Sequence, residues 1–145
     1  MFKHILVPTD GSRLAQRGVK AGVALAKALG ARVTALHVMP PYVAPYDALS
    51  YLTVSAAQHR KACAQSAKTI LAAAQAEARK AGVPCSTEVA TDAQPWGGIL
   101  RAAHTRKCDA IALGSHGYGT LGGLLLGSET QRVLAHAKIP VLVTR

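Results

Sequence analysis

Residues 114–128 read GSHGYGTLGGLLLGS and follow directly on the apolar run Ala110-Ile111-Ala112-Leu113. The run has the length and composition of a buried strand. The glycines behind it free the backbone for angles that other residues resist, and Ser128 reads as the first cap of a helix. Gly114, Gly117 and the pair Gly127-Ser128 set the frame, with two and then nine residues between them. A strand end followed by exposed N–H groups and the N-terminus of a helix is a place to hold an anion, and phosphate is the usual one.

Two phosphate-binding patterns compete for this stretch. A Walker loop needs a lysine and a hydroxyl straight after its last glycine, but Gly127 is followed by Ser128-Glu129 and no lysine lies between Gly114 and Ala137. The dinucleotide pattern G-x-G-x-x-G does occur, as Gly117-Tyr118-Gly119-Thr120-Leu121-Gly122. It requires a helix opening inside those glycines and an acid about 20 positions on to hold a ribose. That position falls in Pro140 to Val143, where there is no acid.

Working outward, Lys3 to Val7 is a short apolar run suited to a central strand, closed by the turn Pro8-Thr9-Asp10-Gly11. Ser12 then caps a helix whose Ala15, Val19, Gly22, Val23, Ala26 and Leu29 recur at helical spacing until Gly30 stops it. Arg32 to Val38 is the second strand, and strand, helix, strand with short joints makes a right-handed crossover in a parallel sheet. Met39 to Ser50, with three prolines, is a loop that serves either as a lid or subunit contact or as an ordinary connection. A long helix is expected over about 56–81, ended by Gly82-Val83-Pro84, and Cys85 to Ala90 alternates as an edge strand. Thr91 with Gln94 suggests a capping box for a third helix, and Pro95 suits its first turn. Trp96, Ile99, Leu100 and Ala103 form the buried stripe of that helix, with Trp96 read as core. Asp109 to Leu113 is the fourth strand, about 129–136 a short fourth helix, and 139–144 a last strand whose proline suits an edge.

The 145 residues make one domain, 1–145, with half of them hydrophobic and only 4% aromatic, so the core is aliphatic and alanine-rich. Met1-Phe2-Lys3-His4 already starts a strand, which argues against a signal peptide, and no run approaches the roughly 20 apolar residues of a membrane span. Cys63, Cys85 and Cys108 are odd in number and far apart, without a C-x-x-C. They support neither a disulfide framework nor a zinc site, and suit small thiols in a reducing cytoplasm. The net charge of +10 invites a polyanion. The cations fall on the first, second and third helices as solvated faces without interleaved aromatics, so a dedicated, specific nucleic-acid reader is not expected.

The pattern G-x2-G-x9-G-S resembles the nucleotide-binding signature of the universal stress protein family. Ile5 to Ser12 resembles that family's opening strand and turn, Leu36-His37-Val38 the end of its second strand, and Pro140 to Val143 its closing strand. The resemblance implies an α/β fold: an open five-stranded parallel sheet of order 3-2-1-4-5 with helices on both faces, Rossmann-like. Ligands of such sheets sit beyond the strand carboxyl ends where the winding reverses, here between the first and fourth strands. It further implies an adenine-nucleotide site, for ATP, ADP or AMP, with any Mg2+ carried in by the phosphates. Pro8, Thr9 and Asp10 would line one wall, Asp10 accepting from ribose hydroxyls or a base amino group. Val38 would meet the adenine edge, and Leu113, Gly114, His116 and Gly117 would form the opposite wall. Gly127, Ser128, Glu129 and Thr130 would offer N–H groups and hydroxyls to the phosphates.

Each of these has a plainer reading. Asp10 can cap the first helix or close a turn, Ser128 and Gln131 can form a capping box, and His116 can offer backbone alone. Glu129 sets a carboxylate beside the expected phosphates, which keeps AMP and ADP open beside ATP. No catalytic residue is assigned: there is no Walker lysine and no carboxylate placed to orient water. The expected function is a nucleotide-binding regulatory protein of the stress response, a sensor or switch with at most slow hydrolysis. The alternatives are an interaction module with structural or no nucleotide, and a slow nucleotide hydrolase. The resemblance also implies a homodimer through strand 139–144, which would cover an apolar edge.

Overall fold

The computed structural model describes residues 1–43, 55–115 and 126–145. Among these residues nine elements follow one another: β1 His4–Pro8, α1 Arg13–Leu29, β2 Arg32–Met39, α2 Ala56–Ala81, β3 Cys85–Thr91, α3 Pro95–Thr105, β4 Ala110–Gly114, α4 Ser128–His136 and β5 Val141–Thr144. The strands form one sheet of order β3-β2-β1-β4-β5 in which all four pairings are parallel. Most helix boundaries follow local chemistry. Ser12 Oγ accepts the Ala15 N–H to start α1, and Gly30 ends it in the left-handed region at φ 64°. Ser55 and Gln58 cap α2 reciprocally, and Gly82 closes it in the same way as Gly30.

Two expected caps differ. Thr91 is the last residue of β3 and does not cap α3. Asp92 Oδ1 instead accepts the Gln94 N–H, and Gln94 precedes Pro95 without a side-chain cap bond. An Asx turn supplies the bend that the capping box was expected to supply. The α4 cap is Gly127, not Ser128, which is the first helical residue and is exposed. The capping box of Ser128 and Gln131 is therefore absent, and the Gln131 amide group reaches the Leu126 carbonyl instead. Strand ends shift by a residue or two, and β5 starts at Val141 because Pro140 cannot donate to the ladder.

Alternation along the buried strands splits the core in two. Ile5, Val7, Val33, Ala35, Ala110 and Ala112 face α1 and α2, while Leu6, Leu36, Ile111 and Leu113 face α3 and α4. The first layer is unusually close. A Cβ on Gly22 would lie 2.7 Å from Val7 Cγ2, and one on Gly18 would lie 2.5 Å from the Gly114 nitrogen. A Cβ on Gly114 would in turn lie 2.3 Å from the Leu14 carbonyl oxygen. Bare backbone on both sides thus lets the first turns of α1 settle directly on the end of β4. That contact sets the spacing between the start of α1 and the end of β4.

Candidate functional site

β1 and β4 are neighbours in the sheet, and the chain leaves them toward opposite faces: α1 packs with α2, and α4 packs with α3. Their carboxyl ends therefore splay into a crevice, the place where open parallel sheets take ligands. One wall is the β1–α1 turn. Thr9 is buried; its N–H continues the ladder to the Leu36 carbonyl at 2.8 Å, and its Oγ1 accepts the Gly11 N–H at 3.2 Å. Asp10 Oδ1 accepts the Ser12 N–H at 2.9 Å, and Gly11 carries the turn at φ 81°. Pro8 is buried at the end of β1.

The other wall is the end of β4 with the start of α4. Leu113, Gly114 and Ser115 are buried. Two bonds tie the helix to the strand: the Gly127 N–H donates to the Ser115 carbonyl at 2.8 Å, and Thr130 Oγ1 donates to the Gly114 carbonyl at 3.1 Å. The first intrahelical acceptor is the Gly127 carbonyl, taken by the Gln131 N–H. The amides of Ser128, Glu129 and Thr130 are thus the orphan donors of the first turn. Val38 is half-buried toward the end of β2, packed where a Cβ on Gly98 would lie 2.9 Å from it. His116 and Gly117 lie outside the described residues, as does most of the Met39–Ser50 loop.

Three side chains have partners that narrow their roles. The Thr130 hydroxyl is spent on the strand and the residue is buried, so it offers an N–H rather than a hydroxyl. Glu129 Oε2 accepts the backbone N–H of Trp96 at 2.8 Å, and its Oε1 lies 3.8 Å from Arg132 Nη1. The carboxylate therefore closes the start of α3 and is held by an arginine. Asp10 gives at least one oxygen to its own turn, the plainer of the two readings made from sequence. Among the described residues no group of three or more His, Cys, Asp or Glu side chains could hold a metal ion. Burial pushes the Cys108 thiol up to about 11, so this cysteine stays protonated at neutral pH.

The whole chain, residues 1–145, matches the sequence profile of the Universal stress protein family. The chain belongs to that family. A universal stress protein of Thermus aquaticus, encoded in a QAH/OAS sulfhydrylase 3' region, is 37% identical over the full length of both chains. The solved structure of protein MJ0577, a universal stress protein of Methanocaldococcus jannaschii, superposes with a TM-score of 0.80 at 27% identity, over 99% of this chain and 96% of that one. A universal stress protein solved in complex with cAMP matches at a TM-score of 0.70 and 25% identity, over 99% and 97% of the two chains. The single sheet of order 3-2-1-4-5 is thus the universal stress protein fold. No helix among the described residues is long and apolar enough to cross a membrane.

Some supporting residues of this universal stress protein site escape a sequence reading. His37 Nδ1 donates to the Thr9 carbonyl at 2.9 Å and braces the end of β1 from β2. Gln16 Nε2 donates to the Gly11 carbonyl at 3.2 Å, and the Ser115 N–H donates to the Thr144 carbonyl at 2.7 Å. His37 did stand in the quoted Leu36-His37-Val38, but nothing local tells which strand its ring will reach.

Proposed function

We propose that the crevice between β1 and β4 binds an adenine nucleotide and that the protein is a nucleotide-dependent regulatory module. The observation that carries this reading is the start of α4. Three first-turn amides, those of Ser128, Glu129 and Thr130, are held beside bare β4 backbone by the two bonds that fix Gly127 and Thr130. Rigid N–H donors at a helix N-terminus favour a phosphate without reorganisation. The cAMP complex of a family member supports adenine as the base.

In this reading Pro8, Thr9 and Asp10 flank the ribose, Val38 meets the adenine edge, and Leu113, Gly114, His116 and Gly117 form the facing wall. Gly127, Ser128, Glu129 and Thr130 present backbone to the phosphates. The ties of Glu129 to Trp96 and Arg132 support a triphosphate, because the carboxylate is already engaged and partly neutralised. Mg2+ would arrive with ATP, bound through phosphate oxygens and water.

The protein acts as a sensor or switch in the stress response, with any hydrolysis slow, in a reducing cytoplasm that suits its three free thiols. Among the described residues β5 pairs only with β4, and its Leu142 is 40% exposed, so a second copy would cover this edge and make a two-fold dimer. Steady-state phosphate release tests the regulatory reading. Rapid turnover that disappears in Asp10→Asn would make the protein an enzyme. Turnover far slower than nucleotide exchange is the result expected of a switch.

A further inference from the structure

The positive charge of the chain is segregated, which helix-by-helix inspection of the sequence does not reveal. α1 and α2 pack side by side on one face of the sheet. α1 carries Arg13, Arg17, Lys20 and Lys27 and no acid. α2 carries Arg60, Lys61, Lys68, Arg79 and Lys80, with Glu77 its sole acid. All nine of these cations are exposed. The two helices thus hold a net +8 of the chain's +10.

On the remainder of the surface three of the eight cations are in ion pairs and six acids offset the rest, so little net charge is left there. The ion pairs among the described residues are Arg101–Asp92, Arg106–Glu88 and Arg132–Glu129, and none involves α1 or α2. The cations are also ordered. At 3.6 residues per turn, Arg13, Arg17, Lys20 and Lys27 fall on one line of α1, opposite its buried stripe of Ala15, Val19, Gly22 and Ala26. Lys61, Lys68 and Arg79 fall on one line of α2. At 1.5 Å per residue the two lines run about 21 and about 27 Å.

We propose that this face binds double-stranded nucleic acid through its phosphates, without sequence preference. The class of partner follows from what accompanies the cations. The exposed residues between them on the two helices are alanine, glutamine, serine and threonine, and no exposed large hydrophobic residue lies on either helix. Unpaired bases of a single strand find no exposed ring to stack on, because His59 at the start of α2 is half-buried against Tyr42, and a bilayer finds no apolar wedge to take up. Straight rows of point charges on rigid helices suit a stiff, uniformly charged rod. Duplex DNA carries about one charge per 1.7 Å of axis. The absence of acids on α1 removes the repulsion that would otherwise interrupt such a row.

The test is fluorescence anisotropy of a labelled mixed-sequence DNA duplex of about 24 base pairs with the full chain. The salt range is about 50 to 200 mM. With roughly six phosphates neutralised, affinity is expected to fall about 10³-fold over that range. The variant Arg17→Gln/Lys20→Gln/Lys61→Gln/Lys68→Gln keeps helix propensity and should flatten the log–log salt slope by about 3 to 4. A charge-matched control, Lys3→Gln/Lys107→Gln/Lys138→Gln/Arg145→Gln, should leave most of the slope. Circular dichroism and melting curves confirm that each variant is folded. Equal loss in both variants, or no binding by the natural sequence at low salt, would overturn the proposal. So would binding to vesicles rich in anionic lipid without binding to the duplex.

Discussion

Ser128→Pro isolates one anion-binding amide. Ser128 is the first residue of α4, and its N–H is an orphan that no helical carbonyl can take. Proline at this position loses nothing from the helix and has the φ the helix needs. It also constrains the preceding residue to extended angles, which Gly127 already has at φ −60° and ψ 149°. The substitution should therefore leave the melting temperature within about 3 °C of the natural protein, a change of roughly 1 kcal/mol or less at this chain length. If the amide meets a phosphate, one hydrogen bond to a charged group is lost, worth about 1.5–3 kcal/mol. That corresponds to a roughly 10- to 150-fold weaker nucleotide affinity. Ser128→Ala, which keeps the amide and removes the exposed hydroxyl, should weaken binding much less. Titration of both folded variants with ATP and AMP reads the difference. A Ser128→Pro protein that melts normally and binds ATP like its parent would refute the assignment of α4 as the phosphate anchor.

Other outcomes follow from the same geometry. Gly114→Ala drives a methyl into the Leu14 carbonyl, and Gly18→Ala drives one into the Gly114 amide from the other side. Each should cost about 1–3 kcal/mol in urea unfolding, and because both disturb one contact their double variant should fall short of additivity. Glu129→Gln keeps an oxygen for the Trp96 backbone N–H and removes a charge already engaged by Arg132, so ATP affinity relative to AMP should change little in titration calorimetry. Glu129→Ala should instead cost about 1 kcal/mol of stability. His4 is buried, and its Nδ1 accepts from Arg32 while Nε2 contacts Thr34 Oγ1. Burial, helped by the Arg32 charge and opposed by Asp109, lowers its pKa below 6.5. The unfolded chain then binds the proton more readily, so stability is full above 6.5 and is lost as pH falls from there through the folded-state value. Denaturant midpoints measured from about pH 7.5 to about 5.5 should drop, and drop less in His4→Gln. A pH profile unchanged by that substitution would put the acid sensitivity elsewhere.

What the sequence made legible, and what it hid, divides by distance along the chain. Ser12 and Gly30 bound α1 and Ser55 and Gly82 bound α2 because caps act over three or four residues. The apolar strand cores were readable for the same reason: periodicity is local. The α4 cap was misassigned because Gly127 and Ser128 are both good cap residues, and the choice falls to the bond from the Gly127 amide to Ser115. The Glu129–Trp96 bond joins residues 33 apart, so the carboxylate beside the phosphates looked like an obstacle until α3 was in place. The charge on α1 and α2 was visible residue by residue, but only the crossovers bring both helices to one side of the sheet. Strand order came from the resemblance to the family, since no local pattern names a strand's neighbour.

The most direct test of the account is titration calorimetry with ATP, ADP and AMP, with and without Mg2+. The protein is first stripped of bound nucleotide and the extract identified by chromatography, and Gly117→Val serves as the control. Saturable adenine-nucleotide binding is expected, and the valine should abolish it while the protein stays folded. No heat with any of the three nucleotides, together with no nucleotide in the extract, would contradict it and leave a fold whose glycine stretch is only a loop.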